Sequence, residues 1–215
     1  MSEEFLREIR VAKEKAKKRN FVQTWDLAIG LKNIDLRKPE NRLNTEFSLP
    51  EGRGKDVKVI FIVDTLLPEV KKMNIPNLTK SDIEKLGKDK KKLKNLAKEY
   101  DWWFCEAPLM PLVGKHLGVV LGPRGKMPRP VPPKGSIKPF LELAKKLVRI
   151  RLKDSPVIHV PVGTENMKDE QIMKNVIAVI NFVREKLPKG RQNLKNAHIK
   201  LTMGPAVKLK LDVIR

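Results

Sequence analysis

The feature that most constrains this chain is a hydrophobic rhythm that changes part-way along and then changes back. Residues 21–31 alternate: Phe21, Gln23, Trp25, Leu27, Ile29 and Leu31 share one side, and Val22, Thr24, Asp26, Ala28 and Gly30 the other. A period of two suits a strand with one core face and one smaller, partly polar face. Residues 44–49 repeat it through Thr45, Phe47 and Leu49. At residues 57–63 (VKVIFIV) the apolar residues run on almost without a break, as in a strand covered on both sides. Residues 102–106 keep that second style, residues 157–162 form a further strand, and alternation returns at 197–203 and 206–213.

The helical pattern fits the same division. Residues 3–18 put Phe5, Ile9, Ala12 and Ala16 on one side of a helix, opposite lysines, and residues 169–186 do likewise with Ile172, Val176, Val179 and Val183. In the middle, a short helix is expected at 66–73, and Ser81 with Glu84 reads as a capping box. Residues 85–98, with seven lysines among Leu86, Leu93, Leu96 and Ala97, read as one helix with a solvated face. A helix through Leu112, Val113, Leu117, Val120 and Leu121 should break at Gly122-Pro123, and the prolines beyond it argue against regular structure. Residues 137–150 read as an amphipathic helix. Neither terminal segment holds enough structure for a domain alone. Together they predict a two-layer α+β domain, interrupted by an α/β domain with a parallel sheet. The turn-rich stretch 50–55 (PEGRGK) marks the crossing. The domains are expected at 1–63 with 156–215, and at 64–155.

Charge points to the class of partner. Lys and Arg total 46 against 25 acidic residues, a formal charge of +21, which repels itself unless a polyanion shares it. Aromatic residues make up only 5%, too few for single-strand recognition by stacking platforms. The single Cys105 excludes an internal disulfide and sits in the apolar run WWFCEA, as a buried, inert thiol would. His116, His159 and His198 have no ligand spacing, so no metal or cofactor is expected. No secretory leader or membrane span is evident, which predicts a cytoplasmic protein.

Three motifs invite chemistry. GPRGK at 122–126 resembles a phosphate loop, but Val120 stands at the first glycine position and Met127 replaces the metal-binding hydroxyl. Its Arg124, Lys126 and nearby Arg129 suit a nucleic-acid backbone, or its glycines and prolines simply shape a tight connection. Asp26 either accepts from a ribose hydroxyl or base amine, or faces water. Thr202, Met203, Gly204 and Pro205 form either a close-approach site or a plain turn in a hairpin. No catalytic constellation emerges.

The runs LGPRGKMPRPVPP and TMGPAV make the chain resemble the archaeal members of the large-subunit ribosomal protein L-one family, the mobile stalk proteins, over essentially its full length. The resemblance implies an inserted Rossmann-like domain and direct binding to structured large-subunit ribosomal RNA. It implies a stalk beside the tRNA exit site, help in releasing deacylated tRNA, and repression of the chain's own mRNA. It implies RNA contacts at Phe21, Thr24 and Asp26 and at Thr202, Met203 and Gly204, with His159 and Gly163 on an adjoining segment. Asn20 and Asp26 stand where bacterial members have lysine and glutamate; Asp26 keeps the charge and Asn20 loses a phosphate contact. A monomer within the ribosome, without enzymatic activity, is expected. The rivals are a phosphate-ester enzyme on the Rossmann-like domain and a DNA-compacting protein.

Overall fold

The computed structural model describes residues 2–133 and 135–211. The chain forms α1 (Ser2–Glu14), β1 (Thr24–Leu31) and β2 (Leu43–Ser48), then β3 (Val59–Ile62), α2 (Leu67–Lys72), β4 (Asn77–Leu78), α3 (Lys80–Lys88) and α4 (Lys90–Glu99). It continues through β5 (Trp102–Glu106), α5 (Met110–Arg124), β6 (Arg129–Val131), α6 (Lys138–Lys146), β7 (Leu147–Leu152) and β8 (Val157–Thr164). It ends with α7 (Asp169–Lys186), β9 (Leu194–Leu201) and β10 (Val207–Leu209). Two units result, Met1–Lys55 with Lys145–Arg215, and Asp56–Ala144.

In the first unit an antiparallel sheet runs in the order β10-β9-β1-β8. The alternation of β1 buries Trp25, Leu27, Ile29 and Leu31. They join Phe5, Ile9 and Ala12 of α1 and the apolar side of α7 in one core. Each large side chain so buried contributes about 1.5–3 kcal/mol. Asp169 opens α7, where a carboxylate suits the helix dipole, and ties down α1 through Lys13 at 3.1 Å and Arg10 at 3.8 Å. A second antiparallel pair, β2 with β7, packs Phe47 against Phe182 of α7, ring centroids 4.6 Å apart.

The second unit holds a parallel sheet in the order β4-β3-β5-β6, and every residue of β3 and β5 is buried. Ile60, Ile62, Trp103 and Cys105 pack with α3, α4 and α5. On the other side Phe61 stacks on Phe104 at 5.1 Å, and Phe140 of α6 meets Phe104 edge-on at 5.8 Å.

The parallel-sheet and α+β architecture agrees with the rhythm of the sequence, but several element ends do not. The first helix stops at Glu14, short of residue 18. The lysine-rich helix is two helices, because Asp89 caps α4 by accepting from the backbone N–H of Lys91 and Lys92. The cap before α3 is made by Thr79 and Asp82, whose carboxylate accepts from the Thr79 N–H at 3.0 Å, and not by Ser81 and Glu84. α5 continues past Gly122-Pro123 and ends at Gly125, whose φ of 63° favours glycine. Regular structure then resumes in β6, an edge strand in which Pro130 needs no second ladder. The helix expected to reach residue 150 gives way after Lys146 to β7. Of the expected strand 206–213, residues 207–209 form β10, and residues 212–213 lie outside the described residues.

Strand pairing also moves the boundaries between domains. β3 belongs with β4 and β5, and β7 with β2, so the divisions fall after residues 55 and 144 instead of 63 and 155. The outgoing and returning chains stay paired to that point: Leu49 N–H donates to Lys146 O at 2.9 Å, and Arg53 N–H to Lys145 O at 3.4 Å.

Candidate nucleic-acid interface

The start of β1 and the end of β9 lock together. Thr202 N–H donates to Thr24 O at 3.0 Å, Thr24 N–H donates to Thr202 Oγ1 at 3.1 Å, and the Thr202 hydroxyl donates to Thr24 O at 3.2 Å. Gln23, only 2% exposed, lies beneath. Its Oε1 accepts from Met203 N–H at 3.1 Å and its Nε2 donates to Lys17 O at 3.3 Å. A turn closes with Gly204 N–H donating to Leu201 O at 2.8 Å. A Cβ on Gly204 would lie 3.1 Å from that of Ala16, so glycine lets the turn press against the segment after α1.

This inner bracing leaves the outside of the turn free for another molecule. Met203 is 56% exposed, and Phe21 and Val22, read from the sequence as lying along the strand, precede it at 51% and 52%. Lys15, Lys17, Lys18 and Arg19 are exposed beside them in sequence. Apolar groups exposed beside cations offer a surface suited to a partner that carries phosphates.

The open face of the sheet extends from here. Asp26 sits opposite Lys200 on β9 and Pro161 on β8, next to a bulge between Trp25 and Asp26. Ala28 lies between His198 and His159, and Lys208 pairs beyond His198. Burial pushes the Asp26 carboxyl above its ordinary range, against the pull of Lys200 and His159. His159 is exposed on this face, whereas Gly163 is buried: a Cβ there would meet Ile172 and Met167. Gly163 therefore serves packing under α7. The structure thus gathers Phe21, Thr24, Thr202, Met203 and Gly204 at one end of the sheet, with Asp26 and His159 along its face.

Sequence reasoning missed Gln23, the run from Lys15 to Arg19, and the sheet-face residues His198, Lys200 and Lys208. A glutamine on the core side of an otherwise apolar strand was the available signal for the first.

The GPRGK segment belongs to the second unit, and its Arg124 and Lys126 are half-buried there. Arg124 ends α5, Lys126 Nζ donates to Tyr100 O at 2.7 Å, and Arg129 of β6 pairs with Phe104 of β5. At the C-terminal end of β5, where α/β sheets commonly take ligands, Glu106 is 1% exposed. Its carboxylate accepts from the N–H groups of Asp64 at 3.1 Å, Thr65 at 3.3 Å and Leu66 at 2.8 Å. Those backbone donors are taken up by a side chain of the chain's own. Burial, helped by Glu106, pushes the Cys105 thiol up to about 12. Among the described residues no cluster of three or more His, Cys, Asp or Glu is placed to hold a metal, and no helix is long and apolar enough to cross a membrane.

Residues 12–205 match the model of the ribosomal protein L1p/L10e family. The protein named large ribosomal subunit protein uL1 of Methanocaldococcus jannaschii is 48% identical over 211 residues, covering 98% of this chain and 96% of the relative. The proteins of the same name in Pyrococcus horikoshii and Thermococcus kodakarensis are 46% and 47% identical over 204 residues. Those matches cover 94% of this chain, and 93% and 94% of the two relatives.

Proposed function

This chain belongs to the ribosomal protein L1p/L10e family, and we propose that it is a ribosomal RNA-binding constituent of the large ribosomal subunit, acting without catalysis. The observation that carries this reading is the braced turn at Met203, exposed beside Phe21, Val22 and the basic run. Lysine and arginine hold the phosphate backbone without reading sequence. The Phe21 ring, the Met203 side chain and the turn's backbone then pack on a sugar or base where shape decides the fit. Asp26 accepts from a ribose hydroxyl or base amine, and His159 adds a contact along the face.

The finer reading follows from the resemblance. The protein forms the mobile stalk beside the exit site, assists the release of deacylated tRNA, and represses translation by binding a similar element in its own mRNA. It acts as a monomer within the cytoplasmic ribosome, and Arg124 and Arg129 supply secondary contacts to tRNA or ribosomal RNA, the Lys126 ammonium being taken up by Tyr100 O.

The test is affinity for large-subunit ribosomal RNA against a scrambled competitor. Met203→Ala and Phe21→Ala should each lower affinity for the specific RNA while thermal unfolding stays unchanged. Lys90→Ala on α4 should weaken binding to both RNAs slightly and equally. Equal small losses from all three would place recognition elsewhere. An RNA carrying the mRNA's control element should compete for the site and lose affinity to the same variants.

A further inference from the structure

The opposite end of the same sheet is also fixed by buried polar contacts, and RNA recognition at the Met203 turn gives it no role. β1 ends at Leu31 and the chain turns at Lys32 and Asn33, the latter left-handed with φ 55°. After α7 a second corner follows, led by Gly190 with φ 51° and running through Asn193 into β9. Asn193 is fully buried and joins the two corners. Its Nδ2 donates to Lys32 O at 3.0 Å and to Asn33 O at 3.1 Å, and its Oδ1 accepts from Lys189 N–H at 2.8 Å. Its carbonyl accepts from Lys32 N–H, also at 2.8 Å.

Between the corners lies a pocket of about 370 Å3, lined by Lys32, Arg184, Arg191, Gln192 and Lys195 over Leu194. Lys32 comes from the end of β1, Arg184 from α7 and Lys195 from β9, so these three cations are far apart in sequence and are brought together by the fold. Among the described residues no carboxylate lines it. Gathering like charges opposes folding unless an anion shares the site. Lysine heads and a planar guanidinium are the donors that phosphate takes.

We propose that this pocket seats backbone phosphates of the bound RNA, as a second contact on the same sheet. The proposal rests on the RNA-binding function proposed for this chain, and on Lys32, Arg184 and Lys195. The eight residues of β1 separate the two ends by about 25 Å, at roughly 3.3 Å per residue. The Met203 end reads the RNA, and the pocket fixes its direction along the sheet, because phosphate contacts position without specifying.

The test uses the full chain and measures affinity for large-subunit ribosomal RNA across a salt series. Variant one carries Lys32→Gln, Arg184→Gln and Lys195→Gln. Variant two carries Lys90→Gln, Lys91→Gln and Lys94→Gln, removing the same charge from the exposed side of α4. Variant one should flatten the plot of log affinity against log salt by roughly 2–3, at 0.7–0.9 for each phosphate no longer neutralised, and variant two should barely change it. If variant one unfolds, Lys32→Gln and Lys195→Gln alone, both at exposed positions, should each flatten it by about 0.7–0.9. Equal slopes for the two triple variants would overturn the pocket while leaving the RNA-binding function intact. Tripolyphosphate that binds the wild type and not variant one, with an unchanged RNA slope, would assign the pocket to a small polyanion instead. A wild type that binds ribosomal RNA no better than scrambled RNA would overturn both proposals.

Discussion

Two Gly-Pro turns, one in each unit, look alike in sequence and are used in opposite ways. Gly204-Pro205 follows Met203, and Gly122-Pro123 precedes Arg124 and Lys126. In the first, buried Gln23 and the Thr24–Thr202 contact hold the turn from inside, so that Met203 projects outward. In the second, the dipeptide is wound into the last turn of α5, and Lys126 is directed back to the carbonyl of Tyr100 at the end of α4. A lysine at a helix C-terminus satisfies an otherwise unmatched acceptor. Where the bonds of a basic turn lead, inward or outward, decides whether it braces its own domain or faces a partner. Composition alone cannot distinguish the two.

That contrast should be visible in variants. The largest effect is expected for Phe21→Ala combined with Met203→Ala: a loss of specific RNA affinity of about 100-fold, near 2.7 kcal/mol, with the unfolding midpoint unmoved. Gln23→Ala should reduce both properties, since it strips a partner from the Met203 N–H and the Lys17 carbonyl. Denaturant titration should show a stability loss of about 1–3 kcal/mol. Lys126→Met should do the reverse of the first variant, costing about 1 kcal/mol of stability while RNA affinity changes less than about threefold. A large affinity loss from Lys126→Met in a folded protein would erase the distinction between the turns.

Asp26 gives the smallest and most diagnostic effect. Its folded carboxyl titrates above the ordinary 3.8, chiefly through burial. A raised folded value favours the fold below 3.8, and that contribution is lost as pH rises through the folded value. Ionised Asp26 therefore works against the fold at neutral pH. Asp26→Asn should raise the unfolding midpoint at pH 7 slightly, with the gain shrinking as pH falls toward 3.8. The same variant should bind ribosomal RNA more weakly, the signature of a group kept for binding at a cost in stability.

How much of this is legible in the sequence depends on whether the information is local. The period of two places Trp25, Leu27, Ile29 and Leu31 in a core, and the continuous run puts β3 in a parallel sheet, because side-chain alternation is a property of the strand itself. The end of α6 is not legible: residues 147–150 are apolar enough to continue a helix, and only pairing with β2 draws them into β7. Pro130 likewise reads as a breaker until β6 is known to be an edge strand. In the site, Thr24 and Thr202 are 178 residues apart, and nothing local announces that they share hydrogen bonds. Extending the alternation puts Phe21 on the core side, but the strand begins at Thr24 and leaves it outside.

If RNA recognition resides in the unit built from both ends of the chain, that unit should suffice for it. The most direct measurement removes residues 56–144 and joins Lys55 to Lys145 by a short glycine-serine linker. The paired backbones of Leu49 and Arg53 with Lys146 and Lys145 keep those ends close, so closing the gap costs little. Cutting instead at 64–155 would take away β7 and leave β2 without its partner. The shortened protein should unfold cooperatively and bind large-subunit ribosomal RNA within about fivefold of the full chain, a difference near 1 kcal/mol, with its preference over scrambled RNA retained. A folded product that no longer distinguishes the two RNAs would contradict this and move the site to the parallel-sheet unit.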